Sequence, residues 1–168
     1  MVKYDKRTLE RMIDGDLTWD ELKPIISGRK DPDRFDIILE ILQEKVSWKE
    51  KIILPLHEHL YIVSKDGQRI VKCDCGYEFG DYKVNWKEKC RIRVRDTVET
   101  IEELYPKFMG SDPEWEELRE YFCPGCFTLL DVENVPPGYP TIFNFLPDID
   151  TFYKKWLGRE PPDKKIKI

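Results

Sequence analysis

The sequence predicts an α+β protein: N-terminal helices, a small antiparallel sheet with a zinc-ribbon-like site of four cysteines, and an extended C-terminal arm rich in proline and aromatic residues. Three observations predict it. Apolar residues recur at helical spacing up to about residue 46, then give way to short β-type runs around an Asp-Gly turn. Four of the five cysteines form two close pairs, Cys73-Asp74-Cys75-Gly76 and Cys123-Pro124-Gly125-Cys126. After Asp131, the run Val135-Pro136-Pro137-Gly138-Tyr139-Pro140 suits neither a helix nor a central strand. The expected division is a helical segment over 1–46, a metal-stapled α+β domain over 47–134, and an arm with a short helix over 135–168.

The elements follow in order. Thr8 to Asp14 reads as a short helix stopped by Gly15. Thr18 and Glu21 form a T-x-x-E capping box for a second helix, which Gly28 ends. Asp31-Pro32 is the expected start of a third, with Asp as cap and Pro in the first position. Phe35, Ile38, Leu39 and Leu42 give that helix one buried face, and Ile37 and Ile41 widen it to contact on two sides. Ile52-Ile53-Leu54 and Leu60-Tyr61-Ile62-Val63 are strand runs, and Asp66-Gly67 turns the second into Arg69–Cys73. Cys90, Ile92 and Val94 alternate with Arg91, Arg93 and Arg95, predicting a strand with its apolar side inward. Asp96 with Glu99 is expected to cap a helix to about Phe108, and Asp112-Pro113 to open another through Trp115, Leu118 and Tyr121. A last helix is expected from Asp148 to Leu157, with a loose polar end from Gly158 to Ile168.

Composition bounds the function. At 168 residues the chain is one domain, or one domain with a small appendage. It sets 28 basic against 33 acidic side chains, a net of −5, without the basic excess of most nucleic-acid binders. Twenty-one aromatic residues can fill a core, which argues against disorder. No apolar run approaches the roughly 20 residues needed to span a bilayer, and the start is charged. The expectation is a soluble cytoplasmic protein whose cysteines are not a disulfide framework.

Metal chemistry explains the cysteines better. Two thiolates on a tight turn can face one ion, and Cys73, Cys75, Cys123 and Cys126 together would complete a tetrahedral sulfur site. Zinc suits such a site, and iron is the alternative. With no open position, the site would be structural. Cys90 is left as a buried, inert thiol. His57 and His59 flank Glu58 and read as two surface histidines at the mouth of a sheet, since the H-x-E order of zinc deaminases is missing. Arg91, Arg93 and Arg95 with Lys87 and Lys89 could form a basic face for RNA or DNA, or a charged edge that blocks stray pairing. There is no phosphate loop or nucleophile elbow, and no catalytic or cofactor-binding residue is assigned. Tyr139, Phe143, Phe145, Phe152, Tyr153 and Trp156 make the arm either an interface or a strap that packs back on its own core.

Several blocks carry a resemblance to a known family. Lys30-Asp31-Pro32-Asp33-Arg34-Phe35, Glu40-Ile41-Leu42-Gln43-Glu44 and Lys51-Ile52-Ile53-Leu54-Pro55-Leu56 resemble the gamma subunit of acetone carboxylase. So do Cys73-x-Cys75-Gly76, Asn85-Trp86-Lys87, Val94-Arg95-Asp96-Thr97, Arg119-Glu120-Tyr121-Phe122-Cys123-Pro124 and Pro147-Asp148-Ile149 with Phe152-Tyr153 and Trp156-Leu157-Gly158. The resemblance implies a heterohexamer of two alpha, two beta and two gamma subunits that converts acetone, bicarbonate and ATP to acetoacetate. It implies catalysis in the large partners, with manganese in alpha and ATP with magnesium used in beta. It also implies a small non-catalytic subunit that holds zinc through Cys73, Cys75, Cys123 and Cys126. The small subunit of an acetophenone-type carboxylase is the near alternative, and a free-standing zinc-ribbon nucleic-acid module the distant one.

Overall fold

Three helices open the chain. The computed structural model describes residues 3–163. Asp5 caps α1 (Lys6–Ile13) by accepting from the Thr8 amide at 2.8 Å, which starts the helix ahead of the expected Thr8. The capping box of α2 (Trp19–Ser27) forms as expected: the Glu21 carboxylate accepts from the Thr18 amide at 2.8 Å, and the Glu21 amide donates to Thr18 Oγ1 at 3.4 Å. Gly28 ends it.

The third helix, α3 (Arg34–Lys45), starts later than Asp31-Pro32 suggests, and Asp31 does not cap it. Asp31 is buried and accepts from buried Arg34 at 3.1 Å, while Arg34 also donates to the Ile25 carbonyl at 2.9 Å. This ion pair bolts the end of α2 to the start of α3, a use of Asp31 that satisfies a buried charge. Contact on two sides is observed. Ile41 packs with Leu9 and Ile25 of the first two helices, and Leu42 packs with Ile52, Tyr61, Val63 and Ile70 of a sheet.

That sheet has four antiparallel strands in sequence order, β1 (Lys51–His57), β2 (Leu60–Lys65), β3 (Gln68–Cys73) and β4 (Glu78–Asp81). Asp66 (φ 51°) and Gly67 (φ 79°) make the β2–β3 turn, both left-handed, which matches the natural twist of a hairpin. A 3-10 turn, Trp86–Lys89, leads to a second antiparallel sheet in the order β5 (Arg91–Arg95), β6 (Glu117–Phe122), β7 (Leu129–Val135).

The second sheet departs from the sequence reading in three places. The helix expected from Asp112 through Tyr121 is instead a turn followed by β6, the central strand. The helix expected from Asp96 to Phe108 is only α4 (Val98–Glu102), capped by Thr97 with Thr100 and not by Asp96 with Glu99. In β5 the apolar side does not point inward: Ile92 is 41% and Val94 40% exposed, while Arg95 is 3% exposed. Arg95 is held inside because Glu120 and Glu103 accept from it at 2.7 Å each.

The arm packs back. α5 (Ile149–Thr151) runs into a π-helical turn over Phe152–Trp156. Ile149 and Tyr153 are buried with Ile53, Leu60, Ile62, Val71, Phe79 and Leu130 in a core shared by both sheets, and Phe143 and Phe152 pack against it. Phe145 and Trp156 remain exposed. Of the expected loose end, residues 164–168 lie outside the described residues. No described helix is long and apolar enough to cross a membrane.

Candidate metal centre

Each cysteine pair lies where a strand stops. β3 ends on Cys73, and Asp74–Gly76 turn the chain into β4; β6 ends on Phe122, and Cys123–Cys126 turn it into β7. Both turns close on their own backbone. The Cys73 amide donates to the Tyr77 carbonyl and the Gly76 amide to the Cys73 carbonyl, each at 2.9 Å. The Cys123 amide donates to the Thr128 carbonyl and the Phe127 amide to the Cys123 carbonyl, again at 2.9 Å. Gly76 takes φ 97°, a left-handed conformation that a bulkier residue would resist.

The fold brings the two turns together. All four sulfurs lie within 4.8 Å of one another. Cys73 Sγ is 3.8 Å from Cys126 Sγ, and Cys75 Sγ is 3.7 Å from Cys123 Sγ. A zinc ion with bonds of about 2.3 Å to sulfur places tetrahedral thiolates about 3.8 Å apart, so the donor set fits the ion in chemistry and in spacing. Gly125 makes the approach possible: a Cβ there would lie 3.0 Å from Tyr77 Cβ and 3.3 Å from Cys75 Sγ. Cys73 and Cys123 are buried, and Cys75 and Cys126 line the open side.

The thiols are not equivalent. Burial pushes Cys73 and Cys75 up. Burial acts the same way on Cys126, but hydrogen bonding from Thr128 and the other cysteines outweighs it and lowers Cys126 to about 7. Metal binding must displace the protons of the raised pair.

Residues outside the C-x-C and C-P-x-C patterns complete the setting. Trp48 Nε1 donates to the carbonyls of Cys73 at 3.1 Å and Asp74 at 3.0 Å, fixing the backbone of the first turn. The Asp74 carboxylate bonds His59 Nδ1 at 2.7 Å, so His59 braces a residue of the turn itself. His57 is exposed at the end of β1. The spacing of Trp48 and His59 from the cysteines carries no local signal of these contacts.

Of the five cations considered as a basic face, Lys89 and Arg91 are exposed, and the other three are tied up in ion pairs. Arg95 is buried, and Lys87 is buried against Asp131 (2.6 Å) and Glu133. Arg93 pairs with Glu103, and exposed Arg91 stacks over Phe127 at 5.1 Å. Cys90 is half-buried behind the 3-10 turn, and burial raises its thiol to about 12, as suits an inert residue.

Comparison with known proteins follows the same outline. A family model described as "Acetone carboxylase gamma subunit" matches residues 46–157. The acetone carboxylase gamma subunit of Xanthobacter autotrophicus is 45% identical over 163 residues, 96% of this chain and 97% of that protein. The acetophenone carboxylase beta subunit of Aromatoleum aromaticum is 28% identical over 115 residues, 66% of this chain and 80% of that protein.

Proposed function

The chain belongs to the acetone carboxylase gamma-subunit family, and from that premise we propose that it is the small, structural, zinc-holding subunit of an ATP-dependent ketone carboxylase. In this reading the complex joins acetone and bicarbonate to give acetoacetate in the cytoplasm. Two larger subunits, alpha and beta, carry the manganese and ATP chemistry in an α2β2γ2 assembly. Cys73, Cys75, Cys123 and Cys126 hold zinc in a closed site, and this chain supplies no catalytic group. The observation that carries the reading is the near end-to-end match to a gamma subunit. The sulfur spacing supports the metal, and a set of four thiolates would leave no coordination position for substrate, which supports a structural role.

The match to an acetophenone carboxylase subunit supports a second reading, in which a different ketone is carboxylated by an otherwise similar assembly. Co-expression with the two larger carboxylase subunits of the same organism tests both. The expected outcome is one co-purifying complex that consumes ATP and bicarbonate only with a ketone. Acetone dependence supports the first reading, and dependence on an aryl ketone the second. A chain that purifies alone beside well-folded large subunits overturns both.

A further inference from the structure

An antiparallel hairpin such as β5–β6 needs only two to five connecting residues. Here the connection runs from Asp96 to Glu116 and builds a lobe of its own. Almost nothing in it is buried: Ile101 alone is inside, at 2% exposure. Yet the lobe is ordered. Thr97 and Thr100 cap α4 reciprocally, Arg95 donates to the Thr100 carbonyl at 2.7 Å, and Gly110 packs so tightly on Ile101 that a Cβ would meet its Cγ2 at 2.3 Å.

This scaffold displays apolar surface. Phe108 is 90% exposed, Trp115 74% and Met109 73%, and Val98, Leu104 and Tyr105 of the same segment are exposed as well. Phe108 also adopts φ 64°, a left-handed conformation that is costly for a bulky side chain. In the isolated chain that ring is covered by no core residue, and its neighbour is the Lys107 ammonium, 5.1 Å from its centroid. Large apolar side chains exposed together on one short segment are a mark of interaction surfaces.

Charge identifies the kind of partner. Residues 96–116 hold seven carboxylates and one cation, Lys107, a net of −6, whereas the whole chain nets −5; of the seven, Glu103 is paired with Arg93 and Arg95. The rest of the molecule is therefore slightly positive. A lobe that joins exposed apolar side chains to excess negative charge is repelled by anionic lipid, by nucleic acid and by the same lobe of a second copy. It complements an apolar cleft rimmed by Arg and Lys on another protein. We infer that the β5–β6 lobe is the surface by which this chain seats on a larger carboxylase subunit, with Phe108, Met109 and Trp115 entering such a cleft. The inference rests on the subunit reading above and adds the place and chemistry of contact. Of the other strongly exposed aromatics, Phe127 shares the left-handed backbone (φ 60°) but lies under the Arg91 guanidinium, while Trp19, Phe145 and Trp156 have ordinary backbone conformations and lie outside the acidic segment.

The test is binding of the full chain to the co-expressed larger carboxylase subunits, followed by biolayer interferometry at low and moderate salt. Phe108→Asn with Trp115→Ala should weaken binding by about 30-fold or more, the scale of losing an interface hot spot. Asn tolerates the left-handed backbone, so an unchanged melting temperature and metal content should accompany the loss. Reversing charge with Glu99→Lys and Glu114→Lys should also weaken binding, and wild-type affinity should fall as salt rises. Phe145→Ala with Trp156→Ala should leave binding unchanged. Binding by the Phe108/Trp115 variant within about twofold of wild type overturns the assignment, as does loss of binding in the Phe145/Trp156 variant alone. A wild-type chain that does not bind the larger subunits overturns the subunit reading itself, a distinguishable result. Hydrogen exchange in the wild-type complex gives an independent readout: protection should concentrate in residues 97–116, and protection elsewhere alone counts against the lobe.

Discussion

Tyr153 ties the C-terminal arm to the first sheet through one hydroxyl. It is fully buried and donates to the Ile53 carbonyl at 2.8 Å, at the point where the β1–β2 register shifts and Ile53 has no cross-strand partner. Tyr153→Phe should therefore cost about 1–2 kcal/mol, the range for a buried carbonyl left unsatisfied, measured by urea unfolding. Burial also raises the Tyr153 hydroxyl to about 12. Below about pH 10 the folded and unfolded chains both keep the proton. Above that, only the unfolded chain ionises readily, so stability should fall as pH rises toward about 12. The variant should show a shallower alkaline decline than wild type, and an equal slope would discount the assignment. Such a residue is illegible in sequence, because its partner lies 100 positions away. The cysteines were legible for the opposite reason: each pair is a local turn whose ligand spacing and turn residues are written side by side. Asp31 was misread because a local rule, the helix cap, competed with a buried partner at Arg34 that only the folded α2 makes necessary.

Among the elements, β6 departs furthest from its sequence pattern. Trp115, Leu118 and Tyr121 recur every third residue and imitate a helix, yet Leu118 through Tyr121 are all buried in a central strand. Arg119 and Glu120 look like solvent-facing positions until Glu117 and Arg95 pair with them. Periodicity reads polar residues as exposed and cannot register the ion pairs, within β6 or across to β5, that let them be buried. The same physics governs Lys87 on the 3-10 turn, whose ammonium meets Asp131 and Glu133 of β7. Burial raises Glu133, but hydrogen bonds from Lys87 and Tyr121 outweigh it and hold its carboxyl below the usual range. Lys87→Met should destabilise the protein by about 3 kcal/mol near neutral pH, because it leaves two partly buried carboxylates without their cation. A depressed carboxyl contributes stability above its unfolded range and loses it as pH falls through the folded value. The cost of Lys87→Met should therefore shrink in acid, and a pH-independent cost would assign the effect to packing alone.

For the whole molecule, the balanced charge conceals a division that composition alone could not reveal. The lobe concentrates negative charge, while the two sheets meet around the cysteines and share one core. The four sulfurs join the end of β3 to the β6–β7 turn, closing a loop with 47 residues between Cys75 and Cys123. That loop contains β4, β5, α4 and β6, so the metal would staple the second sheet to the first. Apparent energies for structural zinc sites, about 10–16 kcal/mol, match or exceed the about 5–15 kcal/mol that holds a typical domain folded. Removing the ion with a strong chelator should then abolish most of the cooperative thermal transition instead of shifting it slightly. The loss should be uneven. The helices α1–α3 and strands β1–β3 keep Ile41, Leu42, Ile52 and Val63 in their own clusters, so their amides should stay protected while those of residues 91–135 exchange freely. Elemental analysis should find about one zinc per chain before chelation, and Cys123→Ser should reproduce the chelated pattern without a chelator. A chelated chain whose second sheet stays fully protected would make the cysteine cluster dispensable to the fold and leave the shared core as the sole tie between the sheets.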